Sequence, residues 1–232
     1  MNDLTLMTQV LLKASGAVIK IDGIMGPKTR KAIARLPVVE RQIPALKKML
    51  ADVTPLRPDV DWVPVSKVTE YCTEASLVTG ISAKTLLWMV DLEATKTGTR
   101  SGLMYNAKSV SKADSVRNQH KGLGQLNSVA WNEAMAYGSR YHRGVVIGSF
   151  DENWMNPRRS ILAMAYYSKL TEQYAKPLMK NLAMTEPVRY TLYNQGAGFI
   201  TKVLRGDPTV LGDQSDAAGR LRNIARAQIL AA

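Results

Sequence analysis

Glu93 stands where a carboxyl could do acid–base chemistry. Leu86, Met89, Val90 and Glu93 recur at i, i+3, i+4 and i+7, which puts Glu93 on the apolar face of a helix. A carboxyl on such a face is desolvated, and desolvation raises its pKa toward the range a general acid needs near neutral pH. A second reading stays open: Thr95, Lys96, Thr97 and Gly98 follow, so Glu93 can sit at a helix end and reach water. Asp91 lies two residues earlier and projects elsewhere, so it is not an automatic second acid. Two further segments carry suitable polar groups. In Gly122-Leu123-Gly124-Gln125-Leu126-Asn127-Ser128 the glycines allow close backbone approach to a ligand. Gln125 both donates and accepts, which suits a sugar or acetamide. In Leu192-Tyr193-Asn194-Gln195-Gly196-Ala197-Gly198, Tyr193 can hydrogen-bond a carboxylate. The plainer alternatives are an ordinary glycine loop and a buried tyrosine with a satisfied hydroxyl.

The elements that must position these groups are helical. Ser82 suits the cap of a helix running to about Ala94. Asn127 or Ser128 can cap the helix after the glycine loop. Asn156 before Pro157 is a cap with proline at the first position, and Thr185 caps another helix with Glu186 and Pro187 in its first turn. Near the N-terminus, Leu4, Met7, Leu11 and Leu12 recur at helical spacing. Asp22-Gly23 and Gly26-Pro27 then offer two turns into a helix that reaches Leu36, with Pro37 ending it and a further helix between Val38 and Asp52. Pro55, Pro58 and Pro64 mark residues 53–64 as a linker. No convincing alternating strand follows. The expected fold class is all-α: a small unit over 1–52, the linker over 53–64, and a larger helical unit over 65–232.

Composition narrows the partners. The chain has 232 residues, a net charge of +12 and a single cysteine, Cys72, so no disulfide forms within it. No apolar run approaches the length of a membrane span. The N-terminus does not read as a secretory signal, since Asp3 stands where positive charge is expected and Lys13 interrupts the apolar stretch. The charge points to a polyanion: nucleic acid, an anionic membrane surface or a cell-wall polymer. A basic stripe interleaved with aromatics is missing, so nucleic acid is not expected. His120, His142 and Cys72 lack close ligand spacing, so no metal and no cofactor are expected.

Two resemblances sharpen this. The segment IDGIMGPKTRKAI, with Gln9, Leu11 and Leu12 upstream, resembles the peptidoglycan-binding domain of many wall hydrolases over about residues 4–36. That resemblance implies a three-helix module gripping glycan-peptide strands, with Asp22, Gly23, Gly26 and Thr29 as candidates because they form its turn. Farther on, Glu93, GLGQ at 122–125 and LYNQG at 192–196 resemble, in this order, the soluble lytic transglycosylase family, whose catalytic domain is lysozyme-like. The resemblance covers roughly residues 65–205. It implies that Glu93 is the sole catalytic acid/base, Gln125 a sugar-binding residue, Tyr193 the tyrosine that orients the acid and Asn194 a cleft residue. Ser111 matches a substrate-contacting serine. Ala94, Gly124 and Asn127 depart from the family's usual residues, and the spacers around Asn106 and Ser111 are longer.

The module order, with no signal segment, resembles that of phage endolysins. It implies a monomer that waits in the host cytoplasm until lysis and then acts on the wall from the periplasmic side. The helical tail from Arg220, with Leu221, Ile224, Ala225 and Ile229 on one face, is expected to pack on the catalytic unit. Contact with an anionic outer-membrane surface is its alternative.

Overall fold

The computed structural model describes residues 5, 8–9, 12, 17–19, 24–51, 62–98, 102–111, 119–142, 147–179 and 181–232, with the backbone alone over 45–51. The architecture is mainly helical, as expected of an all-α chain. Thr5, Thr8, Gln9 and Leu12 are helical. Helices α1 (Pro27–Arg35) and α2 (Pro37–Ala51) follow, the first opening on Pro27 and the second on Pro37. Each proline sits where its missing N–H has no helical partner to lose. Pro44 lies inside α2. Leu12 and Val39 are fully buried, and Ala17, Ile19, Ala32, Ile33, Leu36 and Val78 pack against them.

Farther along come β1 (Trp62–Pro64), α3 (Val65–Thr79), α4 (Ala83–Glu93), β2 (Lys96–Thr97) and β3 (Met104–Asn106). Three strands form an antiparallel sheet in the order β1-β3-β2, with Val63 opposite Tyr105 and Lys96 also opposite Tyr105. Residues 62–64, expected at the end of the linker, are therefore a strand of this sheet. Strands of two or three residues are too short to show alternation, so the pattern of the sequence carried no sign of them. The rest of the linker falls outside the described residues.

Helices α5 (Ser128–Tyr141), α6 (Phe150–Asn153), α7 (Pro157–Ala175), α8 (Glu186–Gln195), α9 (Gly198–Leu204) and α10 (Ala217–Ala231) complete the chain, with a 3-10 turn at Pro208–Val210. The caps read in the sequence are made. Ser82, Asn127, Asn156 and Thr185 accept backbone N–H groups from Thr85, Ala130, Arg159 and Val188. Helix α7 is the axis. Its residues from Ile161 to Tyr166 are all buried, and it packs against α3, α5 and α8. A helix apolar around its circumference belongs in an interior. Trp131 of α5 is fully buried and its indole N–H donates to the Gly148 carbonyl at 2.9 Å. Cys72 lies in the same core, and burial pushes its thiol up to about 12.

Helix α8 faces two cores. Tyr190 and Tyr193 join the main core, while Val188 and Leu192 join a second cluster with Phe199, Ile200, Ala225 and Ile229. The C-terminal helix α10 is thus packed against the fold through Ala225 and Ile229, as its expected packing requires. Ile224 is exposed instead. Among the described residues no helix is long and apolar enough to cross a membrane.

Gly138 lets α5 lie close against α7, because a Cβ there would overlap the Tyr166 ring. Gly138→Ala should lower stability by about 1–3 kcal/mol, the usual cost of overpacking a core, read as a drop in thermal midpoint.

Candidate active site

Glu93 is the last residue of α4, and Ala94 caps the helix end. Both readings of its position hold in part. Leu86, Met89 and Val90 are buried below it, and Glu93 itself is half-buried at the helix terminus. Burial raises its pKa above the ordinary carboxylate range, while hydrogen bonds from Tyr190 and Asn194 pull it back down. The Asn194 side-chain N–H reaches Glu93 Oε1 at 3.5 Å. Among the described residues no second carboxylate contributes to the shift. Asp91, two residues away, is committed elsewhere: it accepts from the Tyr105 hydroxyl at 3.0 Å and pairs with Lys96 at 2.8 Å.

Helices α4 and α8 meet in register. The Thr85 hydroxyl donates to Glu186 at 3.2 Å near their starts. The Trp88 and Tyr190 rings meet edge-on, with centroids 5.7 Å apart, along their length. Glu93 and Asn194 close the far ends. Contacts in this order make the two helices run in the same direction. The outer pairs are about 12 Å apart along each helix axis at the standard helical rise.

Of Tyr190 and Tyr193, Tyr190 is the one whose hydroxyl lies near enough to lower the pKa of Glu93, although the charge of Glu93 raises the pKa of both. Tyr193 is buried and its hydroxyl donates to the carbonyl of Gly124. One helical turn separates the two tyrosines, so each serves a different neighbour. The sequence holds a signal for Tyr190, since 190, 193 and 194 lie at i, i+3 and i+4, while the family-like segment contains Tyr193 alone. Burial and the nearby charge of Glu93 both raise the pKa of Tyr190, so its hydroxyl stays a donor.

The glycine loop is built for packing. At Gly122, φ is +75° and a Cβ would strike the Trp154 carbonyl and the Ser160 hydroxyl. At Gly124 a Cβ would sit 3.0 Å from the Ser160 carbonyl oxygen. The Gly124 N–H donates to Ser160 Oγ at 3.0 Å. These glycines let the loop lie on α7, which explains them without a ligand. Gln125 has a φ of +46° and is buried. Its side-chain amide donates to Gly122 O at 2.7 Å and to Ser109 O at 3.1 Å. Its N–H donors are turned into the loop rather than toward a sugar. Ser111 pairs with His120 through backbone and side chain, at 2.9 Å each. Among the described residues it shares no hydrogen bond with Glu93 or Asn194.

In the N-terminal unit, Asp22 and Gly23 lie outside the described residues. Gly26 precedes α1, and its N–H donates to Ile24 O at 2.8 Å. Thr29 is buried. Its hydroxyl donates to Ile24 O at 3.4 Å and accepts from Gln9 at 3.1 Å, while Gln9 also donates to Ile24 O at 2.9 Å. Thr29 therefore fastens the turn to the first helical residues and faces inward.

One desolvated carboxyl, beside a tyrosine and an asparagine between two registered helices, has the features that general acid/base chemistry would use. No protein-family model matches the chain. Among curated proteins, the chain is similar to the peptidoglycan hydrolase gp5 of Pseudomonas phage phi6, with 25% identity over 217 residues, 93% of this chain and 91% of gp5.

The raised pKa of Glu93 has a stability consequence. The folded chain holds the proton more tightly than the unfolded chain, so stability falls as pH rises from the ordinary carboxylate range to the raised value. Glu93→Gln should remove that slope. Thermal midpoints across pH should show the variant equal to wild type at acid pH and more stable above this window.

Proposed function

We propose that the chain is a phage enzyme that degrades peptidoglycan, cleaving the β-1,4 bond between N-acetylmuramic acid and N-acetylglucosamine as a lytic transglycosylase. The observation that carries this reading is Glu93: one desolvated carboxyl with two hydrogen-bond donors and, among the described residues, no second acid acting on it. The similarity to a phage peptidoglycan hydrolase supports the substrate class. Most glycosidases need two carboxylates, one as nucleophile or as base for water. A site with one acid is suited to a reaction in which the substrate supplies its own nucleophile.

In this mechanism Glu93, its pKa raised by burial, donates its proton to the glycosidic oxygen as the bond breaks. The oxocarbenium-like centre is stabilised in part by the sugar's own acetamido group. Ionised Glu93 then takes the proton of the C6 hydroxyl as that oxygen attacks C1. The ring closes to a 1,6-anhydro end, and no water is consumed. Because the nucleophile is intramolecular, positioning supplies much of the rate. Tyr190 and Asn194 favour the ionised form between the two proton transfers. Tyr193 and Gln125 act one step back, by fixing the glycine loop.

On the same reading, residues 1–52 hold the enzyme to the wall and the catalytic unit begins at Trp62. Its setting is host lysis, with the enzyme held in the host cytoplasm until the inner membrane opens.

Mass spectrometry of digested wall should find 1,6-anhydromuramic ends. Reducing muramic ends alone would identify a muramidase instead. Glu93→Gln should abolish the loss of turbidity of permeabilised cells while wall binding persists.

The two tyrosines should separate. Tyr190→Phe should lower kcat by about 10- to 100-fold, part of the roughly 10²–10⁴-fold that general acid–base catalysis supplies. It should also move the basic limb of the pH profile upward, because a donor to the carboxylate is gone. Tyr193→Phe should instead lower the thermal midpoint, by about 1 kcal/mol of stability, with the pH profile in place.

A further inference from the structure

We propose that a cavity in the N-terminal unit binds the short, carboxylate-bearing peptide of the wall polymer rather than its neutral sugars, an inference that rests on the peptidoglycan reading above. The cavity has a volume of about 430 Å³, within the range of small-ligand sites. Its floor is aliphatic, from Ala17, Ile19, Ala32 and Leu36, and Val18 stands at its edge, fully exposed. Lys28, Lys31 and Arg35 complete the lining. They fall at i, i+3 and i+7 on α1, so one helical face delivers all three cations to one opening. Helix α1 also carries Arg30 and no acidic residue.

The chemistry of this lining selects its ligand. Three cations favour a molecule with several carboxylates, and Arg35 can take one of them through a two-pronged hydrogen bond. The methyl-sized floor suits small aliphatic side chains between those carboxylates. Among the described residues the lining offers no aromatic face, no side-chain amide and no carboxylate, so these residues lack the mixed donors and acceptors that sugar hydroxyls need. The Gln9, Ile24 and Thr29 hydrogen bonds fasten the turn that precedes α1, which keeps the face in place before ligand arrives.

Calorimetric titration of the full chain tests this with four probes: the acidic wall peptide freed from its glycan, the disaccharide without peptide, inorganic phosphate, and single-stranded DNA. The peptide should bind, more weakly as salt rises, and the other probes should not compete with it at equal concentration. Lys28→Gln/Lys31→Gln/Arg35→Gln should weaken peptide binding at least about tenfold, a loss of about 1.4 kcal/mol. Its cleavage of a soluble glycan substrate should be unchanged. Ala32→Leu, which narrows the floor and leaves every charge in place, should weaken the peptide as well. Absence of peptide binding by wild type, equal competition by phosphate or DNA, or wild-type affinity in either variant would overturn the proposal. If wild type still cleaves purified wall in that event, the peptidoglycan reading stands and only the cavity's role falls. If wild type leaves purified wall intact, it is the peptidoglycan reading that fails.

Discussion

The site depends on the register between α4 and α8. Glu93 is useful only if a donor-bearing helix face reaches the end of α4, and α8 supplies that face with Tyr190 and Asn194 one turn apart. Two contacts farther back hold the register, the Thr85–Glu186 hydrogen bond and the edge-on meeting of Trp88 with Tyr190. The second has a double role. The Tyr190 ring contributes to the main core while its hydroxyl addresses the carboxyl, so packing energy and polar geometry are fixed by one side chain. A slip of one residue along α8 would turn the polar face away by about 100° and leave Glu93 buried beside apolar groups.

The same helix orders the glycine loop. Gly124 is gripped from two sides, its N–H by Ser160 of α7 and its carbonyl by Tyr193 of α8. Gln125 braces the loop from within, at a left-handed backbone angle that a residue with a side chain adopts at a cost. The loop is thus a strut between the central helix and the helix that holds the acid. Residues that look ligand-facing in sequence are turned to this internal purpose. A glutamine is well suited to it, because its two N–H groups can satisfy two backbone carbonyls in a tight loop.

These distinctions explain what could be read from the sequence. Helix starts were legible because a cap is a local event: Ser82, Asn127, Asn156 and Thr185 each bond an N–H three residues on. Glu93 was legible because helical periodicity places it against Leu86, Met89 and Val90. The sheet was not legible, since its strands are two or three residues long and pair across intervals of sequence that periodicity does not sense. Nor was the division of labour between Tyr190 and Tyr193. Which hydroxyl meets the carboxyl is decided by the angle at which α8 crosses its neighbours, a tertiary quantity. The inward turn of the Gln125 N–H groups was not legible for the same reason: its chemistry suits a sugar and a backbone carbonyl equally.

In the proposed mechanism a single carboxyl must first give a proton and then take one, and such a group is served badly by an extreme pKa. Full burial without donors would keep Glu93 protonated and make it a poor base; full exposure would leave it ionised and make it a poor acid. The opposed influences at this site address both demands. Burial at the end of α4 sustains the acid, and the Tyr190 and Asn194 donors sustain the base. The arrangement is stable through the cycle because Tyr190 resists ionisation, its pKa raised by its own burial and by the charge it accompanies. Its hydroxyl therefore remains a donor whichever form Glu93 takes. The amide of Asn194 carries no charge to titrate and behaves the same way. Two neutral donors on a rigid helix can thus track a carboxyl through both protonation states, a task for which a lysine or arginine would be unsuited, because its charge would hold the carboxyl ionised throughout.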